Sequence, residues 1–568
     1  MDLTVAEAVG LRLIRRGRTA LLGALPLLFL ALAFYFPLWQ VLSLGLREEG
    51  RWTFSRVLGL LEDPYVRHLL LFTLKQAALS TALSFILGFP LGWFLARYRF
   101  PGRRALRSLT LVPFVLPPIT VALGFLLFFG EQGYFNRWIM GIFGLPKPPL
   151  RLLYTLWAVV LAHAFYNAPL FARFVDAALE GMDPELEEAA RVLGAGKGKV
   201  FLTIHLPLLS PAILSAGALV FVFCFLSFAI PLSLGGARYA TLEVGVYLFA
   251  RQFVDFPRAA SLAIWEILFS LSTLYLHVRG GGAFSVALPK GRLSEGVPFL
   301  SRVSHSLWLP YLGIVGLVFL GPLTAVVATS LRVPGEGIGL HWYRLIFSPS
   351  HNPLIGASPR ESVLTSLAIG GLATAGSLVL GVWVSWILRR LRSPLLEASL
   401  MAPLSVSAVI LGLALLYAQR WPPYSLLGRG IWAIALAHVL LVYPLVVRMV
   451  RPLWDSLDPS LAEVARTLGA PGWLAFLTVE LPLLSRGVLV AGAFALAFSL
   501  GEMTATAVLA RPGMVTIPLA IYRLLSTRRF LEGLGTAAAM AVVLMAVTAG
   551  AVFVWEWAGE RLLRWSQT

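Results

Sequence analysis

Residues 183–220 read DPELEEAARVLGAGKGKVFLTIHLPLLSPAILSAGALV, and residues 458–495 read DPSLAEVARTLGAPGWLAFLTVELPLLSRGVLVAGAFA. The two segments align without gaps at a separation of 275 residues and are identical at 21 of 38 positions. A weaker match extends upstream, with LAHAFYNAPLFARFV at 161–175 against LAHVLLVYPLVVRMV at 436–450. Self-similarity at a fixed spacing indicates an internal repeat, so the fold is built from two copies of one unit.

The composition predicts that the solvent of this fold is a lipid bilayer. Of the 568 residues, 58% are hydrophobic and only 13% are charged, and the mean hydropathy is +0.81. A water-soluble fold of this length could not bury so much apolar surface. The apolar runs reach the roughly 20 residues that a helix needs to cross the hydrocarbon, whereas a membrane barrel would show short alternating strands.

We predict an all-α integral membrane protein with about 12 transmembrane helices in two parallel six-helix repeats. The predicted spans are residues 21–46, 66–95, 108–130, 153–172, 208–233, 258–277, 306–331, 362–388, 397–417, 430–449, 485–509 and 533–556. Six spans, an even number, separate equivalent points of the repeat, so both halves face the same way. The predicted domains are a first membrane domain at 1–277, a cytoplasmic linker at 278–305 and a second membrane domain at 306–568.

Short basic connections predict the orientation of the chain in the membrane. Five arginines crowd residues 97–107, and three crowd residues 389–392. The positive-inside rule places both connections on the cytoplasmic side, so both termini are expected in the cytoplasm. The first apolar run is too long for a signal peptide and has no small-residue cleavage site, which predicts an uncleaved first span.

Each copy of the quoted repeat predicts a short capped helix. Asp183 is a good N-cap, Pro184 suits the first helical position, and Gly194 suits a left-handed helix end. Asp458 and Gly469 stand at the equivalent positions of the second copy. A face of small residues that ends in a glycine turn can dock closely into a groove of a partner. One such helix could simply join two spans, but its duplication at a fixed register favours a docking element.

These segments resemble the signature of type I ABC importer permeases, which is EAA, three residues, Gly, nine residues, an aliphatic residue, any residue, and Leu-Pro. The matching residues are Glu188, Ala189, Ala190, Gly194, Leu206 and Pro207 in the first copy and Glu463, Ala465, Gly469, Leu481 and Pro482 in the second. Val464 departs from the middle Ala of the signature. The resemblance spans almost the whole chain. It implies that both segments are coupling helices, each seated in a cleft of one of two cytoplasmic ATPase subunits, and that an external binding protein delivers the substrate.

The substrate is suggested by resemblance alone. Two permease domains fused in one chain are similar to the ferric-iron and thiamine importers. The complete EAA of the first copy favours iron, whereas the stretch FCFLSFAIPLSLGG at 223–236 favours thiamine, and we rank iron slightly first. A twelve-helix secondary transporter driven by an ion gradient is the alternative, because two parallel halves also describe that architecture. It would not need duplicated cytoplasmic docking helices.

We expect the chain itself to be no enzyme and to bind no cofactor. The stretch GAGKGKV at 194–200 resembles a phosphate-binding loop, but Val200 stands where that loop needs Ser or Thr. There is one cysteine, Cys224, and the eight histidines do not fall at zinc-ligand spacing, so we predict no metal site. ATP hydrolysis would belong to a partner chain. The net charge of +18 could suggest nucleic-acid binding, but in a membrane protein the placement of Arg and Lys in short loops determines orientation, and we expect no nucleic-acid partner.

Ionisable residues inside predicted spans are the candidates for the translocation pathway, because such groups are costly in lipid and usually face the interior of the bundle. They are Lys75, His163, Glu266, His438 and Glu502. The two histidines are equivalent across the repeat, which favours a hydrogen bond between helices over substrate contact. Lys75 and Glu266 are expected to neutralise each other. Glu502 lies among small residues and could bond a neighbouring helix or line the pathway.

Overall fold

The structure is a computed structural model. It describes residues 23–110, 113, 116–281, 297–298, 308–335, 337–391, 393–428, 430–526 and 531–565. The basic N-terminal stretch and most of the predicted linker at 278–305 lie outside the described residues.

Helices make up nearly all of the described chain. The helices of the first half are α1 (Gly23–Gly45), α2 (Ser55–Gly59), α3 (Pro64–Arg97), α4 (Arg103–Leu109), α5 (Pro118–Phe129), α6 (Tyr134–Phe143), α7 (Leu156–Glu180), α8 (Pro184–Val192), α9 (Lys197–Phe225), α10 (Leu242–Tyr247) and α11 (Phe256–Gly281). Those of the second half are α12 (Trp308–Leu331), α13 (His341–Phe347), α14 (Pro359–Leu391), α15 (Pro394–Met401), α16 (Ala408–Ala418), α17 (Tyr424–Leu427), α18 (Trp432–Asp455), α19 (Pro459–Thr467), α20 (Phe476–Gly501), α21 (Thr504–Leu509), α22 (Ile517–Leu525) and α23 (Leu531–Trp565). Three pairs of two-residue strands complete the described elements, namely β1 (Arg47–Glu48) with β2 (Arg51–Trp52), β3 (Tyr98–Arg99) with β4 (Val297–Pro298), and β5 (Arg332–Val333) with β6 (Gly337–Ile338).

One closely packed helix pair forms the centre of each half, α3 with α7 in the first and α14 with α18 in the second. Small residues permit the close approach. A Cβ at Gly88 would lie 2.2 Å from the carbonyl oxygen of Ala168, and one at Gly92 would lie 2.4 Å from that of Ala172. Helices in a membrane associate through such backbone-to-backbone contact, because lipid gives no hydrophobic drive for apolar side chains to leave it.

The two halves interlock through their first helices. Helix α1 packs on α11 of its own half and on α16 of the other, and α12 packs on α23 of its own half and on α5 of the other. The hydroxyl group of Tyr424 donates to the carbonyl oxygen of Leu32 at 2.8 Å, and the rings of Phe165 and Phe319 stack with centroids 5.2 Å apart. The apolar core is therefore continuous across both halves.

The all-α architecture with two repeats is confirmed, and the repeat extends beyond the quoted segments. In the first half the backbone N–H of Leu242 donates to the hydroxyl oxygen of Thr73 at 2.9 Å. In the second half Ile517, which lies 275 residues later, donates to the hydroxyl oxygen of Ser366 at 2.7 Å. The sequences around these donors have diverged, but the same long helix fixes the same point in each half.

The prediction that the third span of each half, at 108–130 and 397–417, is one continuous helix is wrong. Among the described helices, nine are long and apolar enough to cross a membrane, or ten if α15 and α16 form one span bent by 93°. Residues 108–130 contain α4 and α5 with a break between them, and Pro117 has an extended ψ of 134°. Pro117 and Pro118 have no backbone N–H and cannot continue an α-helix from residue 116, so the chain turns there.

The predicted spans at 208–233 and 485–509 also end too late. Helix α9 ends at Phe225, and α20 ends at Gly501. Glu502 has ψ of 119°, which takes the backbone out of the helix before α21 begins. These two breaks lie at equivalent positions of the repeat, so an interrupted helix is part of the shared design of both halves.

Candidate coupling helices and translocation pathway

The two predicted docking segments form the short helices α8 and α19. The carboxylate of Asp183 accepts a hydrogen bond from the backbone N–H of Glu185 at 3.0 Å, and Asp458 accepts one from Ser460 at 2.9 Å. Each bond satisfies a backbone donor that has no partner within the helix, which explains why both helices begin here. The same hydrogen bonding lowers the pKa of the Asp458 carboxyl below its usual range.

Both helices end at a glycine in the left-handed conformation. Gly194 has φ of +82°, and Gly469 has φ of +92°. The next N–H in each copy donates at 3.0 Å to a carbonyl five residues back, that of Ala190 or Ala465. Apart from its two neighbours in the chain, no described residue has an atom within 4 Å of a Cβ built on either glycine. Glycine is therefore required for its backbone conformation rather than for close contact within this chain.

The Leu-Pro pair of each copy lies inside the span that follows, α9 or α20. A π-helical turn precedes each pair, and the N–H of Leu206 or Leu481 donates to a carbonyl five residues earlier. Pro207 and Pro482 have no N–H and would clash in a regular helix with the carbonyl four residues before them. The wider π-turn accommodates both prolines. The stretch at 194–200 ends in the first turn of α9.

Exposed apolar side chains lie at the C-terminal ends of α8 and α19, next to charged residues of the same outward faces. Val192 and Leu193 are 88% and 87% exposed, and Leu468 is 83% exposed. Burying a side chain of this kind contributes about 1.5–3 kcal/mol, so a repeated cluster of exposed ones marks a surface for a partner. The signature residues on the two helices, Glu188, Ala189, Ala190, Glu463 and Ala465, are all exposed or half-buried.

Glu187 points from α8 into the protein, away from the exposed face. Its carboxylate accepts two hydrogen bonds from the guanidinium of Arg97, at 2.6 and 2.7 Å. Arg191 donates a further bond at 2.5 Å, and Nε2 of His205 lies 3.3 Å away. The hydrogen bonds from Arg97 lower the pKa of Glu187 to about 2. The carboxylate is therefore ionised near neutral pH, and it joins α8 to the C-terminal end of α3.

The second copy lacks this connection. Ala462 stands at the position of Glu187, and Glu480 stands at the position of His205. Arg389, in the last turn of α14, approaches Glu480 only to 3.8 Å. A cavity of about 810 Å³ is lined by these three residues and by Arg466, the counterpart of Arg191. Glu187 and Arg191 lie four residues apart, so the sequence alone predicts an ion pair along α8, and the replacement of Glu187 by Ala462 in the second copy is the signal that could have indicated a further role.

His163 and His438 are buried and bond neighbouring helices at equivalent points. Nδ1 of His163 lies 3.1 Å from the hydroxyl oxygen of Ser80, and its Nε2 lies 2.8 Å from that of Ser227. Nδ1 of His438 lies 2.7 Å from the hydroxyl oxygen of Ser499. Each ring therefore bonds a second helix of its own half, α3 through Ser80 or α20 through Ser499, which is the kind of contact expected from their equivalence.

Glu502 caps the short helix α21 and contacts His438. Its carboxylate accepts hydrogen bonds from the N–H of Ala505 at 2.9 Å and the hydroxyl of Thr506 at 3.2 Å. One carboxylate oxygen lies 3.0 Å from Nε2 of His438. The equivalent position of the first copy is Ser227. Glu502 thus ties α21 to α18, which is one of the two roles that the sequence left open.

Lys75 and Glu266 do not form the expected neutral pair. Lys75 lies on the exposed side of α3, while its neighbour Gln76 is on the buried side. Glu266 is 1% exposed, and neither of its carboxyl oxygens has a hydrogen-bond partner in the described parts of the chain. The prediction was wrong because adjacent helical positions lie about 100° apart, which turns Lys75 away from the interior.

A second buried carboxyl group, Glu243 on α10, lies beside that of Glu266. Ser407, at the start of α16 in the other half, faces both. Oε2 of Glu243 also has no hydrogen-bond partner within the described ranges. The described residues contain no group of three or more His, Cys, Asp or Glu that could hold a metal ion. Glu243 is absent from the residues predicted for the pathway because it lies at 234–257, between two predicted spans, although the apolar flanks in ATLEVGVYLFA at 240–250 could have indicated a buried helix.

Comparison with known proteins finds one family twice in the chain. Residues 88–278 and 371–562 each match the family described as the inner membrane component of binding-protein-dependent transport systems. The chain is 29% identical over 490 residues to a thiamine transport system permease protein of Salmonella typhimurium, covering 84% of this chain and 86% of that protein. It is 28% identical to the corresponding protein of Escherichia coli K12, with 84% and 87% covered.

Two further similarities cover about half of the chain. A sulfate transport system permease protein of Escherichia coli K12 is 31% identical over 275 residues, which is 47% of this chain and 95% of that protein. The crystal structure of a bacterial ABC transporter that imports alginate has a chain that matches with a TM-score of 0.40 and 16% identity, covering 48% of this chain and 99% of that one.

Proposed function

Because the chain belongs to the family of inner membrane components of binding-protein-dependent transport systems, we propose that it is the permease of a thiamine importer. Two family domains in one chain supply both halves of the pathway. In this proposal two copies of a cytoplasmic ATPase bind α8 and α19, and an external binding protein delivers thiamine to the opposite side. A secondary transporter, the alternative raised by the sequence, does not fit this family.

The observation that carries the proposal is the pair of exposed apolar faces on α8 and α19. Leu193 and Leu468 occupy equivalent positions, and both are more than 80% exposed. The basic ends of α3 and α14 lie at the same end of each half as these helices, through Arg97 and Arg389. The positive-inside rule then puts both faces, and both chain termini, in the cytoplasm. An ATPase binding there would cover the apolar side chains and hold both halves at once.

Thiamine takes first place over iron as the proposed substrate. The full-length relatives described above are thiamine permeases, and each is covered over more than four-fifths of its length. Thiamine carries a permanent positive charge on its thiazolium ring. Glu243 and Glu266 are buried carboxyl groups that lie beside each other and face Ser407. A passing organic cation would compensate for such groups, which are otherwise costly away from water.

Uptake by the reconstituted complex tests the substrate directly. Proteoliposomes would contain this chain with its ATPase and binding protein, and radiolabelled thiamine or ferric iron would be offered outside with ATP inside. We expect ATP-dependent uptake of thiamine. Glu266→Gln should reduce this uptake about tenfold or more, which corresponds to a loss of about 1.4 kcal/mol of interaction with the substrate. Lys75→Gln, on the exposed side of the same bundle, is the matched control and should leave uptake unchanged. Uptake of iron alone would contradict the thiamine assignment.

A further inference from the structure

The two coupling helices differ in how they are attached to the rest of their halves. Each is continuous with the spans on either side of it, α7 and α9 in the first half and α18 and α20 in the second. Only the first has, within the described chain, an additional ionic connection to a different span. That connection is the bidentate salt bridge between Glu187 and Arg97, with oxygen–nitrogen distances of 2.6 and 2.7 Å.

The geometry of this contact makes it a stiff connection. The two parallel hydrogen bonds fix the carboxylate in the plane of the guanidinium, so the pair resists both rotation and sliding. The Glu187 side chain is only 17% exposed, which limits screening by water and salt. Trp93, one turn before Arg97, stacks on the guanidinium at 5.3 Å and lies against the ring of His205, with centroids 5.1 Å apart. Arg97 is therefore held from both sides.

Helix α3 carries this connection deep into the first half. It runs without a break for 34 residues, and the stretch from Arg97 to Thr73 spans about 36 Å. Along the way Ser80 bonds His163, and Thr73 holds the first N–H of α10 at 2.9 Å. The next residue of α10 is Glu243, one of the two buried carboxyl groups. A displacement of α8 would thus reach the proposed pathway along one continuous helix, in which Pro90 removes a single backbone donor.

The second half has the same long helix without the connection. The hydroxyl oxygen of Ser366 on α14 accepts a hydrogen bond from the first N–H of α22 at 2.7 Å. This contact repeats the one between Thr73 and the first N–H of α10 in the first half. At the near end Ala462 provides no carboxylate, and the cavity of about 810 Å³ separates it from Arg389. Nε of Arg466 has no hydrogen-bond partner in the described residues. Its counterpart in the first half, Arg191, donates to Glu187, whereas Ala462 at the equivalent position has no carboxylate to accept a hydrogen bond. In the described residues α19 itself forms no ion pair with another span, and Arg389 of α14 donates only to the carbonyl oxygen of Leu457, just before α19, at 3.3 Å.

We infer that Glu187 is a positioning residue that transmits the movement of the ATPase to α3, and that the two halves are consequently driven unequally, the first half directly and the second half loosely. This inference rests on the proposed function, since it requires an ATPase on both coupling helices. It makes the first half the one in which ATPase closure moves the pathway.

Two double-mutant cycles in the reconstituted complex test this inference. The first cycle uses Arg97→Ala, Glu187→Ala and both together, and the matched cycle in the second half uses Arg389→Ala, Glu480→Ala and both together. The readout is the number of thiamine molecules taken up per ATP hydrolysed, with the amount of bound ATPase measured on the same samples. Glu187→Gln keeps the shape of the side chain, and Arg97→Lys keeps the charge but loses the paired geometry.

In the first cycle each single variant should lower the uptake per ATP about fivefold or more, as expected for an allosteric coupling, and the double variant should be no worse than either single. Arg97→Lys should fall between wild type and Arg97→Ala. All variants of the second cycle should stay within about twofold of wild type. ATPase binding should persist throughout, which separates transmission from docking.

Two results would overturn the inference in distinguishable ways. If the wild-type chain bound no ATPase, the proposed function would fail and the inference with it. If the wild-type complex transported thiamine but both cycles lost the same uptake per ATP, or the first cycle were additive, the proposed function would stand and the inference alone would be wrong.

Discussion

The left-handed glycine that ends each coupling helix gives a prediction with a worked magnitude. An alanine at Gly194, where φ is +82°, would bring its Cβ close to the following carbonyl, which costs roughly 1–2 kcal/mol. Apart from the two residues next to Gly194 in the chain, no described atom lies within 4 Å of the added Cβ, so collision with the rest of the chain contributes nothing further. If the ATPase binds α8 only when Gly194 is in the left-handed conformation, this cost is taken from the binding free energy. Gly194→Ala should then weaken binding of the ATPase about five- to thirtyfold.

Gly196 provides the matched control in the same loop. It has ordinary backbone angles of −70° and 162°, and a Cβ built there also meets no described atom within 4 Å. Binding of purified ATPase to the chain in nanodiscs, measured by titration, should be unchanged in Gly196→Ala and weakened in Gly194→Ala. The reasoning would be refuted if Gly194→Ala and Gly196→Ala bound the ATPase with equal affinity.

Three further predictions concern stability and pH. Glu502→Ala should lower the free energy of unfolding by about 1–3 kcal/mol, because it removes the cap of α21 and a partner of a buried histidine; thermal unfolding in detergent should show a larger loss than for Ser227→Ala, its counterpart, and an equal loss would contradict this role. Ala462→Glu places a carboxylate in the cavity beside Arg389, so the purified chain should gain about 0.5–1.5 kcal/mol; a destabilised variant would show that the cavity does not accept the charge. The pKa of Glu187 is lowered to about 2 by its hydrogen bonds from Arg97. A lowered pKa stabilises the folded state above the ordinary carboxyl range and loses that effect only as the pH falls through about 2, so uptake per ATP should be constant from about pH 8 to pH 6. A tenfold fall in uptake per ATP between about pH 8 and pH 6 in the wild type would contradict the proposed role of the ionised Glu187.

The sequence predicted the architecture well because its strongest signals are local or repeated. Long apolar runs identify spans, and the offset of 275 residues identifies two parallel halves. The caps at Asp183 and Asp458 and the left-handed Gly194 and Gly469 were also predictable, since each depends on the conformational preference of one residue type.

The broken helices were harder to predict because membrane hydropathy does not report direction. Residues 108–130 are apolar throughout, so their average hydropathy hides the turn at Pro117 and Pro118. The interruption at Glu502 is stabilised by contacts with His438 from a distant helix, and no local pattern contains that information. The first break is caused locally by two prolines within an apolar run, and the second is stabilised by a tertiary contact.

The charged pairs could not be predicted from charge alone. Lys75 and Glu266 were matched because they are opposite in sign and lie in spans, but helix rotation separates them. Glu187 and Arg97 are 90 residues apart, and their contact depends on how α8 folds back against the end of α3. Such pairs depend on the path of the chain rather than on composition, which is why the structure was needed to find them.

The measurement that tests the central claim most directly is native mass spectrometry of the chain purified with its ATPase, in wild type and in a variant carrying Leu193→Glu and Leu468→Glu. These substitutions put charge on the two exposed apolar faces without touching the buried side of α8 or α19. We predict two ATPase copies per wild-type chain and none on the variant, with both chains equally folded. A variant that keeps both copies, or a wild-type chain that purifies alone and takes up thiamine on an ion gradient, would contradict the account.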